Sequence, residues 1–272
     1  MLRGAIPGSG LRGVVAAFLA VAFVACAQPQ SKMEVESMRL EYRHGDAVLE
    51  GYLAFPKGKE PRPGVLVVHE WMGPGKHVWN SADRLAAIGY VALAVDIYGK
   101  DLRPKNAQEA AQAAGRFRGG DRALLRDRLQ AGLAALLGTG RVDPSRVGAI
   151  GYCFGGSAVL ELARSGAAVK GVVSFHGGLA SGQGKSVDKI AARVLALHGA
   201  DDPFVKSEEV AAFQEEMRRA GADLQFVAYA GAVHSFTNPE AGTDNSKGAA
   251  FNADADRRSW DAMSEFLKRT LR

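Results

Sequence analysis

The stretch VGAIGYCFGGSAVLELAR, residues 147–164, decides how this chain is read. Val147 to Ile150 is an apolar run of strand length, and Ser157 to Arg164 has the composition of a helix. Between them Gly151 and Gly155 bracket Cys153 in the pattern Gly-x-Cys-x-Gly. A strand that turns at once into a helix strains the residue at the turn, so its near neighbours must lack bulk. A thiol placed there sits at a helix N-terminus, where the dipole favours negative charge. The backbone N–H of the next residue, Phe154, would then point into an oxyanion hole. A lone cysteine is more often a buried structural residue. The strand, the glycines and the helix favour the nucleophile.

Outward from this turn the chain alternates. Apolar runs of strand length occur at Val65 to Val68, Val91 to Val95, Val169 to Phe175, Val194 to Leu197 and Leu224 to Tyr229. Continuous runs of this kind suit strands buried on both faces. Helical patterns lie between them. In Asp121 to Gly138 the residues Leu125, Leu129, Leu133 and Leu136 fall on one face, with Asp121 as expected N-cap. Ser207 is the expected cap of a helix opening on Glu208 and Glu209, and a last helix spans about Asp256 to Leu271 with Trp260, Met263 and Phe266 on one side. Met38 to Arg43 and Val48 to Phe55 flank His44-Gly45-Asp46 and read as an antiparallel hairpin at a sheet edge, followed by a loop over residues 56–63. The fold class is α/β: a mostly parallel central sheet with helices on both faces and an N-terminal antiparallel edge hairpin.

The 272 residues, 47% hydrophobic and 23% charged, suffice for one domain with a sizeable core. Residues 1–27 read as a signal peptide: Arg3 and Arg12, then twelve apolar residues from Val14 to Ala25, then Ala25-Cys26-Ala27 for cleavage. A span of twelve is short of the roughly 20 residues that cross a bilayer, so no membrane span is expected. Lipid attachment at Cys26 is the alternative. Residues 28–36 form a polar segment and 37–272 the single domain. Export to the periplasm follows. Without the two arginines the net charge falls from +5 to about +3, too little and too dispersed for nucleic acid or a membrane surface. Cys153 is then the one remaining cysteine, so no intramolecular disulfide is expected.

Ligands of such sheets bind beyond the carboxyl ends of the strands. Those ends carry His69-Glu70, Cys153, Asp201-Asp202 and His234. The order nucleophile, acid, histidine makes His234 the expected base and Asp201 or Asp202 the acid that orients it. His176, also at a strand end, competes for a pocket role. His69 and His198 read as buried and hydrogen-bonded, His44 and His77 as loop or surface residues, Asp143 as a turn brace. Asp96 has no place in the triad order. No His/Asp/Glu cluster has metal-ligand spacing, and neither metal nor cofactor is expected.

The segments Val-Val-His-Glu70-Trp71, Val-Asp-Ile-Tyr98-Gly, Gly-Tyr-Cys153-Phe-Gly-Gly, Gly-Ala-Asp-Asp202-Pro and Gly-Ala-Val-His234-Ser-Phe together resemble the dienelactone hydrolase family, from about Met38 to the C-terminus. The resemblance implies the α/β-hydrolase fold and hydrolysis of an ester or lactone. It selects Asp202 over Asp201, assigns Glu70 to the control of the thiol, and makes Trp71 the second oxyanion-hole donor beside Phe154. It adds Tyr98, Lys100 and Phe236 as substrate contacts. Two arginines that hold a substrate carboxylate in the family correspond here to Lys100 and Asn238. Lysine is a point charge and asparagine is neutral, which weakens the substrate assignment but not the reaction class. The segment 240–252 is read as a polar, mobile loop beside the site.

The expected chemistry is covalent: Cys153 attacks the acyl carbon, His234 and Asp202 assist, and water releases the thioester. The partner is a small ester or lactone. The alternative is a catalytically weak envelope binding protein on the same fold. A thiol redox role lacks a resolving cysteine.

Overall fold

The computed structural model describes residues 1, 2, 4, 5, 33–182 and 188–272. Contacts divide the chain into Met1–Ser31 and Lys32–Arg272, and everything below belongs to the second unit. The signal segment and the lipid-attachment alternative at Cys26 lie, but for four residues, outside the described set. No described helix is long and apolar enough to cross a membrane.

Eight strands form one sheet. The hairpin β1 (Val35–His44) and β2 (Ala47–Pro56) is antiparallel, and β1 begins inside the segment expected to be merely polar. The strands β3 (Arg62–Val68), β4 (Val91–Val95), β5 (Val142–Tyr152), β6 (Gly171–Phe175), β7 (Arg193–Gly199) and β8 (Leu224–Tyr229) pair in parallel, and the hairpin joins them through β2, antiparallel to β4. The order is β1-β2-β4-β3-β5-β6-β7-β8. From β3 the chain winds first one way to β4 and then the other way through β5, so the switch point lies between β3 and β5.

Alternation along each strand sends side chains to opposite faces. Val65 and Val67, Ala92 and Ala94, Leu195 and Leu197 pack with α1 (Lys76–Ala87) and α6 (Ala253–Thr270). Leu66 and Val68, Leu93 and Val95, Val194 and Ala196 pack on the other face. There they meet α3 (Ala123–Gly138), α4 (Phe154–Arg164) and α5 (Ser207–Arg219), with α2 (Ala107–Arg118) alongside. The four leucines expected on one face of α3 are all buried.

Two caps differ from expectation. Asp121 precedes the cap position of α3; its carboxylate accepts from Ala123 N–H, while Arg122 takes the N-cap with φ 59°. Arg122 is held there by an ion pair to buried Glu161 at 3.1 Å. Ser207 is already the first helical residue of α5, after Lys206, which makes no side-chain cap. The last helix starts earlier than expected because Asn252 caps it, accepting from Ala255 N–H at 3.0 Å.

Candidate active site

β5 runs straight into Cys153, whose φ of 53° and ψ of −111° turn the chain into α4. Two glycines make this possible by close approach. A Cβ on Gly151 would lie 2.1 Å from Gly155 O, and one on Gly155 would lie 2.2 Å from Val68 O. The Cys153 N–H is shared between Phe175 O at 3.0 Å and His176 Nδ1 at 3.1 Å.

β7 and β8 bring the other two residues of the expected triad. His234 Nδ1 donates to Asp202 Oδ2 at 2.8 Å, and the carboxylate is fully buried. Burial opposes a charge on His234. Hydrogen bonds to Asp202 and Cys153, with the electrostatics of both groups, outweigh it and push the imidazole up to about 10. Nδ1 is occupied by the carboxylate, so Nε2 is the atom left for the thiol. The other Asp202 oxygen accepts from Phe204 N–H at 2.8 Å, and the ring of the exposed Phe204 stands edge-on to His234 at 5.4 Å. Asp201 is exposed and braces Gly231 N–H.

Cys153 and His234 line a cavity of about 500 Å³ whose walls include Trp71, Leu125, Phe154 and Phe204 and the guanidinium-bearing Arg118. Glu70 faces an adjoining cavity of about 350 Å³ with His77 and Asn238; Trp71, Ser235 and Ala249 border both. Asn238 Nδ2 donates to Glu70 Oε2 at 2.6 Å, and His77 Nδ1 stands 3.4 Å from the same oxygen. His77 is thus a wall residue rather than a surface one.

Three expected substrate contacts lie elsewhere. Phe236 is fully buried in the core on the α6 side. Tyr98 is buried, and its hydroxyl donates to Trp71 O at 2.8 Å, steadying the expected oxyanion-hole residue from behind. Lys100 is on the surface, 2.8 Å from Glu41 and 3.8 Å from Glu50.

His198 is buried as expected but not hydrogen-bonded at Nδ1, which has no partner among the described residues, whereas His69, Asp96 and Asp143 are braces. His69 accepts from Ile97 N–H through Nε2, which leaves Nδ1–H to donate to Glu70 O, and burial pushes it down to about 4. Asp96 is buried and binds Arg103 with the N–H groups of Tyr98 and Gly99. Asp143 closes its turn onto Ser145 and Arg146. Among the described residues no three His, Cys, Asp or Glu side chains are arranged to hold a metal ion.

The segment 240–252 is not a loose loop. It carries two short 3₁₀ turns, Pro239–Ala241 and Asn245–Lys247. It then runs beside the base: His234 N–H donates to Gly248 O, and Ala250 N–H to His234 O. Phe204 and Ser235 had signals in the sequence, each within two residues of a triad candidate. Arg118 had none; it arrives from a helix that carries no motif.

The model of the dienelactone hydrolase family matches residues 49–271. A putative carboxymethylenebutenolidase of Methylorubrum extorquens is 30% identical over 243 residues, covering 83% of this chain and 83% of that protein. The crystal structure of a dienelactone hydrolase-like promiscuous phosphotriesterase from metagenomic libraries is 40% identical, with a TM-score of 0.83, covering 88% of this chain and 99% of that one. An acylaminoacyl peptidase of Pyrococcus horikoshii, 16% identical with a TM-score of 0.62 over 87% of this chain and 42% of its own, shares the α/β-hydrolase fold alone.

Proposed function

Because the chain belongs to the dienelactone hydrolase family, and is an ester or lactone hydrolase by that membership, we propose that Cys153 is its nucleophile, His234 its acid–base group and Asp202 the carboxylate that orients His234. The observation that carries this reading is the buried 2.8 Å bond from His234 to Asp202 beside a thiol on a strained turn. His234 Nε2 takes the thiol proton as Sγ attacks the acyl carbon; the bond from that carbon to the leaving oxygen then breaks, and the imidazolium so formed gives that oxygen its proton. His234 then takes a proton from water as the water attacks the thioester. The acid leaves and the thiol is restored.

The backbone N–H groups of Phe154 and Trp71 have no acceptor among the described residues and are the proposed oxyanion donors. Each such donor is typically worth about 10²- to 10³-fold in rate. Glu70, held by Asn238, shapes the second cavity in this arrangement and does not reach the sulfur by a hydrogen bond among the described residues. Export to the periplasm remains part of the proposal, and cell fractionation tests it.

Cys153→Ala should lower turnover of small esters and lactones by at least about 10³-fold. Undiminished turnover refutes the nucleophile. The panel should include a phosphotriester, since the relative 40% identical to this chain is named for that activity.

A further inference from the structure

His176 directly follows β6 and is fully buried, yet it has no part in the proposed proton path. Its backbone φ is 39°. Apart from glycine, the residues with positive φ among residues 33–182 and 188–272 are Arg122, Cys153, His176 and Ser235, and the last three meet at the site. Strained backbone of this kind persists where the surroundings impose it, and it gathers at functional sites.

Both ring nitrogens are committed. Nδ1 accepts from the N–H of Cys153 at 3.1 Å, so it carries no proton. Nε2 therefore bears the hydrogen and donates to Thr237 Oγ1 at 2.8 Å. Thr237 is buried and lies three residues beyond His234. The ring also stands edge-on to His234 at 5.2 Å and to Phe236 at 5.1 Å. Burial first, and the nearby His234 and His77 next, hold the imidazole well below its ordinary pKa, which keeps the ring neutral. A histidine that only filled space would not join the two chain segments that carry the proposed nucleophile and base.

We propose that His176 is a positioning residue: a rigid strut between the backbone of Cys153 and Thr237 that sets the gap between Sγ and His234 Nε2. The inference rests on the triad reading above. A misplacement of about 1 Å can cost roughly 10²-fold in rate.

The test measures kcat and KM separately with the fastest ester of the panel, and the rate of Cys153 alkylation by iodoacetamide against pH. His176→Phe keeps the ring volume and loses both bonds. Its kcat should fall about 10²-fold with KM within about twofold, and its alkylation profile should shift along the pH axis. Thr237→Val, which cuts the far end alone, should cost about 10-fold. The double variant should be no slower than His176→Phe, because both remove one strut. His176→Asn should recover part of the rate, since its amide oxygen can accept from Cys153 N–H and asparagine tolerates positive φ. If His176→Phe does not fold, Thr237→Val and His176→Asn decide by the same readouts. A folded His176→Phe with wild-type kcat and alkylation profile overturns the strut, as do effects of the two sites that simply multiply. Failure of the triad reading looks different: there Cys153→Ala itself stays active.

Discussion

At the scale of single residues, the site depends on how one carboxylate divides its oxygens. Asp202 gives Oδ2 to His234 and Oδ1 to the N–H of Phe204, while its neighbour Asp201 faces solvent. The sequence left these two acids nearly equal, because adjacent residues at a strand end differ in direction, not in chemistry. Asp202→Asn tests the division. In the proposed mechanism His234, raised to about 10, acts as imidazolium toward the leaving group, so that function is present below this value and lost as pH rises through it. Without the carboxylate, burial is less opposed, and the alkaline limb of kcat/KM should move to lower pH. The rate itself should drop by about 10³- to 10⁴-fold. Asp201→Asn should leave both limbs in place. Cys153, His234 and one of the two acids come together as the sequence leads one to expect, because each lies in a local motif at the end of a strand. Tyr98 and Phe236 also lie in motifs, yet their side chains are buried and line neither cavity, because a motif does not state a direction.

At the scale of elements, most strands and helices were legible from their periodicity. The buried five-residue runs of β4 and β6 have no other reading in an alternating chain. The polar composition of segment 240–252 is that of a loop, and its two short 3₁₀ turns and its backbone bonds to His234 leave no mark in that composition. Those bonds clasp His234 on both sides. Gly248, at φ 77°, closes the clasp, and a Cβ there would lie 2.9 Å from Pro203 and 3.1 Å from Phe204. Gly248→Ala should therefore displace Phe204 and the base together. We expect kcat to fall about 10-fold or more, by the same sensitivity to small misplacement, with faster hydrogen exchange at Ala250 N–H. Unchanged kcat would mean the clasp does not position the base.

At the scale of the whole molecule, the fold class was legible and the strand order was not. The order depends on which way each crossover turns, and that is fixed by packing across the two layers. One buried network joins much of the α3–α4–α5 side. Glu161 pairs with Arg122 at 3.1 Å, Arg126 at 3.5 Å and Arg164 at 3.1 Å, and Arg164 continues to Glu216 at 2.7 Å. Glu161 also accepts from Gly182 N–H, which ties in the segment after β6 that walls the larger cavity. Glu161→Gln removes one charge from Arg164, which keeps Glu216, and the loss of such a charge-assisted bond costs about 1.5–3 kcal/mol. A urea melt should show that loss as a lower midpoint with an unchanged slope; a shift within about 0.5 kcal/mol would place the network's worth elsewhere.

The positive φ values at Cys153, His176 and Ser235 carry a consequence for the history of such a chain. Each is a conformation that a freely drifting sequence would relax, by glycine at the turn or by a different local path. Every such relaxation would make a sturdier protein and a poorer catalyst. Robustness and reactivity therefore pull this molecule in opposite directions at three positions, and its present geometry records which of the two prevailed.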